Sequence, residues 1–159
     1  MPSTTQASLD TPIGAVLVEA DGERLARIAI GAAAELANGA SPLLTEALRQ
    51  LRAWFDARLD KFDLPLVEPI TARGAAHREA IMAIGFGETA SYGEIARAIG
   101  SGARAVGQAC RRNPFPLIVP CHRVVAAGGA VGHYSAGHGL TTKRWLLQFE
   151  TRRSPRWAA

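Results

Sequence analysis

Cysteine is scarce in this chain, and carboxylates are missing from a long stretch of it. Only Cys110 and Cys121 occur among 159 residues, too few for a disulfide framework. No apolar run approaches the roughly 18–20 residues of a membrane span. The first ten residues, Met1 to Asp10, are polar and lack the basic start and apolar core of an export signal. These features lead us to expect no membrane association, a cytoplasmic location and reduced thiols. No internal repeat, low-complexity block or coiled-coil heptad is visible, and a monomer is expected. No Asp or Glu lies between Glu94 and Glu150. Residues 1–94 carry 8 Lys/Arg against 13 Asp/Glu, whereas residues 95–159 carry 10 against 1. A solvated basic face would account for this, but a basic half on an acidic half fits a polyanion-binding surface better.

What is present reads as a globular chain, 48% hydrophobic and 20% charged. Residues 1–10 read as a tail, 11–60 as an α/β domain, 61–73 as a linker with Pro65 and Pro69, and 74–159 as a second domain. Ile13–Val18 and Leu25–Ile30 are strand candidates. Asp21-Gly22 signals a hairpin turn, in a connection longer than two residues. Ser41-Pro42 opens a helix running to about Leu59, with Leu44, Leu48, Leu51 and Phe55 at core spacing. A helical pattern follows over Ala75–Ile84. Ser91-Tyr92-Gly93-Glu94 is a capping box for a short helix, Tyr92–Ile99. Gly100-Ser101-Gly102 breaks it, and a second short helix spans Ala103–Arg112. Two short helices across a glycine turn make a helix-turn-helix pattern, weak alone. Gly107 inside the second helix costs about 1 kcal/mol relative to alanine, which points to close approach by something. Arg104 opposes the dipole in the first turn, a placement useful against phosphate or a base stack.

Pro120-Cys121-His122-Arg123 carries the chemistry. A thiol attacks as thiolate, and a neighbouring imidazole or cation favours that form. Adjacent side chains of an extended segment point to opposite faces, so direct Cys121–His122 contact needs a bend, and a bridging water would serve without one.

These segments, with Asn113-Pro114 and Lys143-Arg144-Trp145-Leu146-Leu147 ahead of Glu150, resemble the O6-alkylguanine-DNA alkyltransferases (methylated-DNA–protein-cysteine methyltransferases) in order and spacing. The resemblance covers about residues 86–150 closely and residues 10–60 only in architecture. It implies an α+β fold, with a small ribonuclease H-like sheet-plus-helix domain before a mostly helical, winged-helix-like DNA-binding domain. It implies DNA repair by a single, stoichiometric alkyl transfer from guanine O6 to Cys121, without cofactor. His122 would be the base, through a water, with Glu150 behind it. Tyr92 would donate toward guanine N3, Ser135 toward O6, and Tyr134 would wall the pocket. Asn113, tying the loop before Cys121 to the helix-turn-helix, and Lys143 complete the substrate side. The target base must leave the duplex, since a stacked base cannot reach a buried thiol. Arg104 would fill the gap, and Ala103, Ala105 and Gly107 would let the helix sit in the minor groove of double-stranded DNA. Arg111, Arg112 and Arg123 would touch phosphates or simply be solvated.

The chain departs from the family pattern in places. Gly74-Ala75-Ala76-His77-Arg78 replaces the usual Thr-x-Phe-Gln opening, about one helical turn short, and Gly85 replaces a proline. The loop Tyr134–Leu140 is longer than usual and carries His138. Cys110 holds a pocket-lining position and should lie near Cys121. No cysteine in the first domain could supply the zinc ligands of some relatives, so no metal site is expected. A non-catalytic sensor of alkylated DNA is the alternative, and the presence of Cys121 opposes it. A cysteine hydrolase leaves the basic half unexplained. A helix-turn-helix regulator would read sequence and have no use for the thiol.

Overall fold

The structure, a computed structural model, describes residues 4–34 and 41–153. Residues 1–3 of the expected tail and 154–159 of the expected second domain lie outside the described residues. The fold is α+β, and the chain divides into two compact units, Met1–Val67 and Glu68–Ala159.

In the first unit, β1 (Thr4–Thr11), β2 (Gly14–Asp21) and β3 (Arg24–Ile30) form an antiparallel sheet in that order. Residues 4–10, expected as part of a tail, thus belong to an edge strand paired with β2 from Thr4↔Asp21 to Thr11↔Gly14. Its polar alternation, rich in threonine, suits a half-buried edge; it lacks the apolar run that marks β2. The β2–β3 turn is tighter than expected: Asp21 pairs with Arg24, leaving only Gly22 and Glu23 between them. Gly22 has φ +63°, the conformation that Asp-Gly turns exploit. The α1 helix (Pro42–Phe55) packs against β1 and β2. Ser41 caps it by accepting from the Leu44 amide, and Leu44, Leu51 and Trp54 are fully buried. Each such side chain contributes roughly 1.5–3 kcal/mol by leaving water.

The expected linker begins too early at residue 61. The Gln50 side chain exchanges two hydrogen bonds with the Asp63 backbone, at 3.0 and 2.9 Å. Leu25 then bonds both Pro65 and Val67, bridging in parallel to Leu66. Proline at 65 costs nothing there, because its carbonyl, not an N–H, makes the contact.

The second unit holds α2 (Ala72–Met82), β4 (Ala90–Ser91), α3 (Tyr92–Ile99), α4 (Ala103–Arg111), β5 (Val124–Val125) and α5 (Leu140–Arg153). Despite its unusual opening, α2 is well formed: Thr71 caps it, and Ile81 is buried. Buried His77 hydrogen-bonds Ser101 in the α3–α4 turn at 2.9 Å. The capping box of α3 is present in both directions, and Gly100 ends the helix at φ +66°. The short parallel pairing of β4 with β5, Ala90↔Val124 and Ser91↔Val125, brings together segments over thirty residues apart. It places Tyr92, just after β4, beside the turn that precedes β5. No helix among the described residues is long and apolar enough to cross a membrane.

Candidate active site

The segment before Cys121 is folded by its prolines and by Asn113. Asn113 Oδ1 accepts from the Phe115 amide at 2.9 Å, and its Nδ2 donates to the Val119 carbonyl at 2.8 Å. That clamp holds Leu117 at φ +80°, a strained conformation for a leucine, deep in the core. At Pro120 (φ −80°, ψ 63°) the Cys121 amide donates back to Val119 at 2.7 Å, an inverse γ-turn. Cys121–Arg123 then form one turn of 3₁₀ helix. This is the bend that an extended reading of the motif lacks.

Cys121 is 5% exposed and lines a cavity of about 910 Å³ with Tyr92, Arg104, Cys110, Arg111, Tyr134 and Ser135. Burial pushes its thiol above the ordinary range. A hydrogen bond from Asn113 Nδ2 to Sγ (3.1 Å) and the Lys143 cation pull it back. The half-buried Cys110 thiol is pushed up to about 12, by desolvation first and then by Cys121. Of the two sulfurs, Cys121 is the only one with a side-chain donor on it among the described residues.

His122 is fully buried, and burial pushes it below the usual imidazole value, against the pull of Glu150. It is therefore neutral near pH 7. Its Nε2 lies 2.7 Å from Glu150 Oε2, and its Nδ1 is buried with no hydrogen-bond partner among the described residues. Burial would raise the Glu150 carboxyl, but hydrogen bonds from His122 and Arg123, and the charges both carry in acid, outweigh that and hold it at about 2.

Lys143 Nζ is buried yet satisfied, donating to the Val124 carbonyl at 2.6 Å and the His133 carbonyl at 3.0 Å. It ties the loop that forms the cavity's far wall to α5. Tyr92 is half-buried, its hydroxyl raised by burial and hydrogen-bonded to the His133 backbone. It is a protonated donor at neutral pH. Tyr134 is raised well above its ordinary value by burial, and its buried hydroxyl has no partner among the described residues. Ser135 Oγ donates to the Arg111 carbonyl at 3.4 Å.

The structure brings most of the expected residues to one place and corrects three. Arg123 does not face phosphate: it is 7% exposed, with Nε and Nη2 on Glu150 and Nη1 on the Ile84 carbonyl. A guanidinium with its hydrogen bonds spent on buried acceptors cannot serve the surface. Asn113 and Lys143 do not line the cavity; they stand behind its wall, one holding the sulfur and the other the loop. Ala103, Arg104 and Gly107 line it from α4, whereas Ala105 does not. Gly132 and His133 line it too and escaped the sequence reading. The signal for Gly132 is the glycine density of residues 128–132. At φ +77°, a Cβ there would meet Tyr92 Oη at 3.1 Å. Among the described residues, no group of three His, Cys, Asp or Glu could hold a metal.

Residues 75–152 match the family model of the 6-O-methylguanine DNA methyltransferase DNA-binding domain. A methylated-DNA–protein-cysteine methyltransferase of Mycobacterium leprae is 39% identical over 155 residues, covering 90% of each chain. One from Methanosarcina acetivorans is 45% identical over 107 residues, 66% of this chain and 67% of that one. Among solved structures, Mycobacterium tuberculosis OGT in complex with DNA superposes with a TM-score of 0.79 at 36% identity, covering 95% of both chains. A buried, hydrogen-bonded cysteine in this setting and relatives of such extent place the chain in the methylated-DNA–protein-cysteine methyltransferase family.

Proposed function

We propose that Cys121 takes the alkyl group from O6 of a guanine swung out of double-stranded DNA, and keeps it. The sulfur attacks the alkyl carbon; the carbon–oxygen bond breaks and its electron pair stays on the purine. The thiol proton passes to His122 Nδ1 through a bridging water, with Glu150 steadying the imidazole. The purine anion is met by the protonated Tyr92 hydroxyl and Ser135. The product is a thioether, which offers water no carbonyl to attack, so each molecule acts once.

One observation carries this reading. The sulfur bonded to Asn113 and the Tyr92 hydroxyl line one cavity, and neutral His122, next to Cys121 in the chain, keeps a buried Nδ1 with no partner among the described residues. Burial keeps the thiol protonated until a base is used, which protects it from idle oxidation. Arg104 on the cavity rim would fill the space left by the base, and α4 would lie in the minor groove. Gly107 supports that contact: a Cβ there would meet nothing within 4 Å, so packing within the protein does not require glycine. In this reading the three-stranded sheet and α1 correspond to a ribonuclease H-like domain, and the second unit to a winged-helix-like one. The protein acts as a monomer in the cytoplasm, where its two free thiols stay reduced.

The test is intact-mass analysis after incubation with excess O6-methylguanine duplex. One methyl gained, on Cys121, with no further turnover, is the expected result. Duplex bound but unmodified would return the protein to the role of a lesion sensor, and repeated turnover would make it a hydrolase.

A further inference from the structure

Arg123 is the member of the buried network to which the alkyl transfer so far gives no task. Its Nε lies 2.9 and 3.1 Å from the two Glu150 oxygens, and Nη2 lies 2.8 Å from Oε2. Nη1 donates to the Ile84 carbonyl at 2.7 Å, and the Phe86 ring lies against the guanidinium at 5.6 Å. The Gly87 amide adds a donor to Glu150 Oε1 at 3.3 Å. The carboxylate therefore has fixed donors on both oxygens before His122 is considered.

We infer that Arg123 is a positioning residue for the alkyl transfer: its fork holds Glu150 as a carboxylate, which fixes the His122 proton on Nε2 and leaves the Nδ1 lone pair free. This rests on the reading of His122 as the base for Cys121. The argument is one of proton accounting. A carboxylate kept ionised can only accept, so the 2.7 Å contact requires the proton on Nε2. A neutral imidazole with that proton on Nε2 has its lone pair on Nδ1. Neutral His122 cannot supply the positive charge that balances Glu150, whereas the guanidinium always does.

The charged groups that bear on His122 are Glu150 and Lys143 from α5 and Arg123 from its own turn. Both cations discourage its protonation; Glu150 alone encourages it. Without Arg123, the buried carboxylate would seek its counter-charge from the imidazole. His122 would then be protonated at neutral pH, and the base would be lost.

The experiment is the single-turnover rate of alkyl transfer against pH, together with ¹⁵N spectra of the His122 ring. The wild type, R123M, R123K, E150Q and R123M/E150Q are compared. The wild-type rate should fall toward acid pH as His122 protonates. In R123M the midpoint should rise above neutrality, slowing transfer at neutral pH several-fold or more, with recovery in alkali. The R123M ring should be an imidazolium near neutral pH, and the wild-type ring neutral with its proton on Nε2. R123K keeps the charge without the fork and should fall between. R123M/E150Q has no carboxylate to balance, so its midpoint should exceed that of E150Q only by the loss of the direct Arg123–His122 repulsion, a smaller shift than R123M causes in the presence of Glu150. An R123M rate lowered equally at every pH, with His122 still neutral, would overturn the inference. If R123M does not fold, R123K decides: an unmoved R123K midpoint counts against it. A wild type that transfers no alkyl group, or does so at a rate indifferent to pH, would instead overturn the parent reading of Cys121 and His122.

Discussion

Replacing Gly107 by alanine separates what the fold needs from what DNA needs. The residue sits mid-way along α4, in the cavity wall, and an added Cβ would have no atom within 4 Å outside its own helix and neighbours. Glycine there costs about 1 kcal/mol in helix propensity relative to alanine. The variant should therefore be more stable by roughly that amount, raising the melting temperature by about 4–8 °C for a unit of this size. If α4 lies flush against a DNA groove, the same methyl intrudes on a close contact. Overpacking of that kind costs roughly 1–3 kcal/mol, and dissociation of the duplex should rise about five- to hundredfold. Thermal melts give the first quantity. Fluorescence anisotropy with a lesion-bearing duplex, in a Cys121→Ser background that prevents transfer, gives the second. A stabilised variant that binds DNA as tightly as the parent would refute the idea that this helix face is kept small for DNA.

Asn113→Ala should be costly twice over. It strips partners from the Phe115 amide and Val119 carbonyl, destabilising by about 2–4 kcal/mol in urea unfolding. It also removes the donor on Cys121 Sγ, so the thiol should titrate higher and react more slowly with a small alkylating probe. Gly132→Ala forces an L side chain to φ +77° and presses on Tyr92 Oη; alkyl transfer from a benzyl-sized substituent should slow more than transfer of methyl, read as a ratio of rates. Glu150 links stability to pH. Its folded value of about 2 lies below the ordinary 4.5, so its contribution is complete above the ordinary value and is lost as pH falls through the folded one. The stability gap between wild type and Glu150→Gln should accordingly be largest near neutrality, on the order of 3 kcal/mol, and close by about pH 2. A gap that stays constant from neutral to acid pH would exclude the ion pair as its source.

Local signals in the chain were direct where the physics is local. The Ser91–Glu94 capping box, the Gly100 stop and the Ser41-Pro42 start each need only their neighbours, and each occurs where expected. The Cys121 motif likewise singled out the proposed nucleophile, because its chemistry is written in adjacent residues. Edge strand β1 was illegible: a polar, threonine-rich segment becomes a strand only when β2 offers its free edge.

The chain alone thus pointed to the family, the proposed nucleophile and the helices around it, since capping, propensity and the order of reactive residues are properties of short segments. Tertiary structure decided what each charged side chain does. Arg123 reads as a surface cation until burial delivers its fork to Glu150, and Lys143 as a substrate contact until two carbonyls claim it. Burial changes the energy of a charge by more than any local preference can, and only packing determines which charges are buried and beside what.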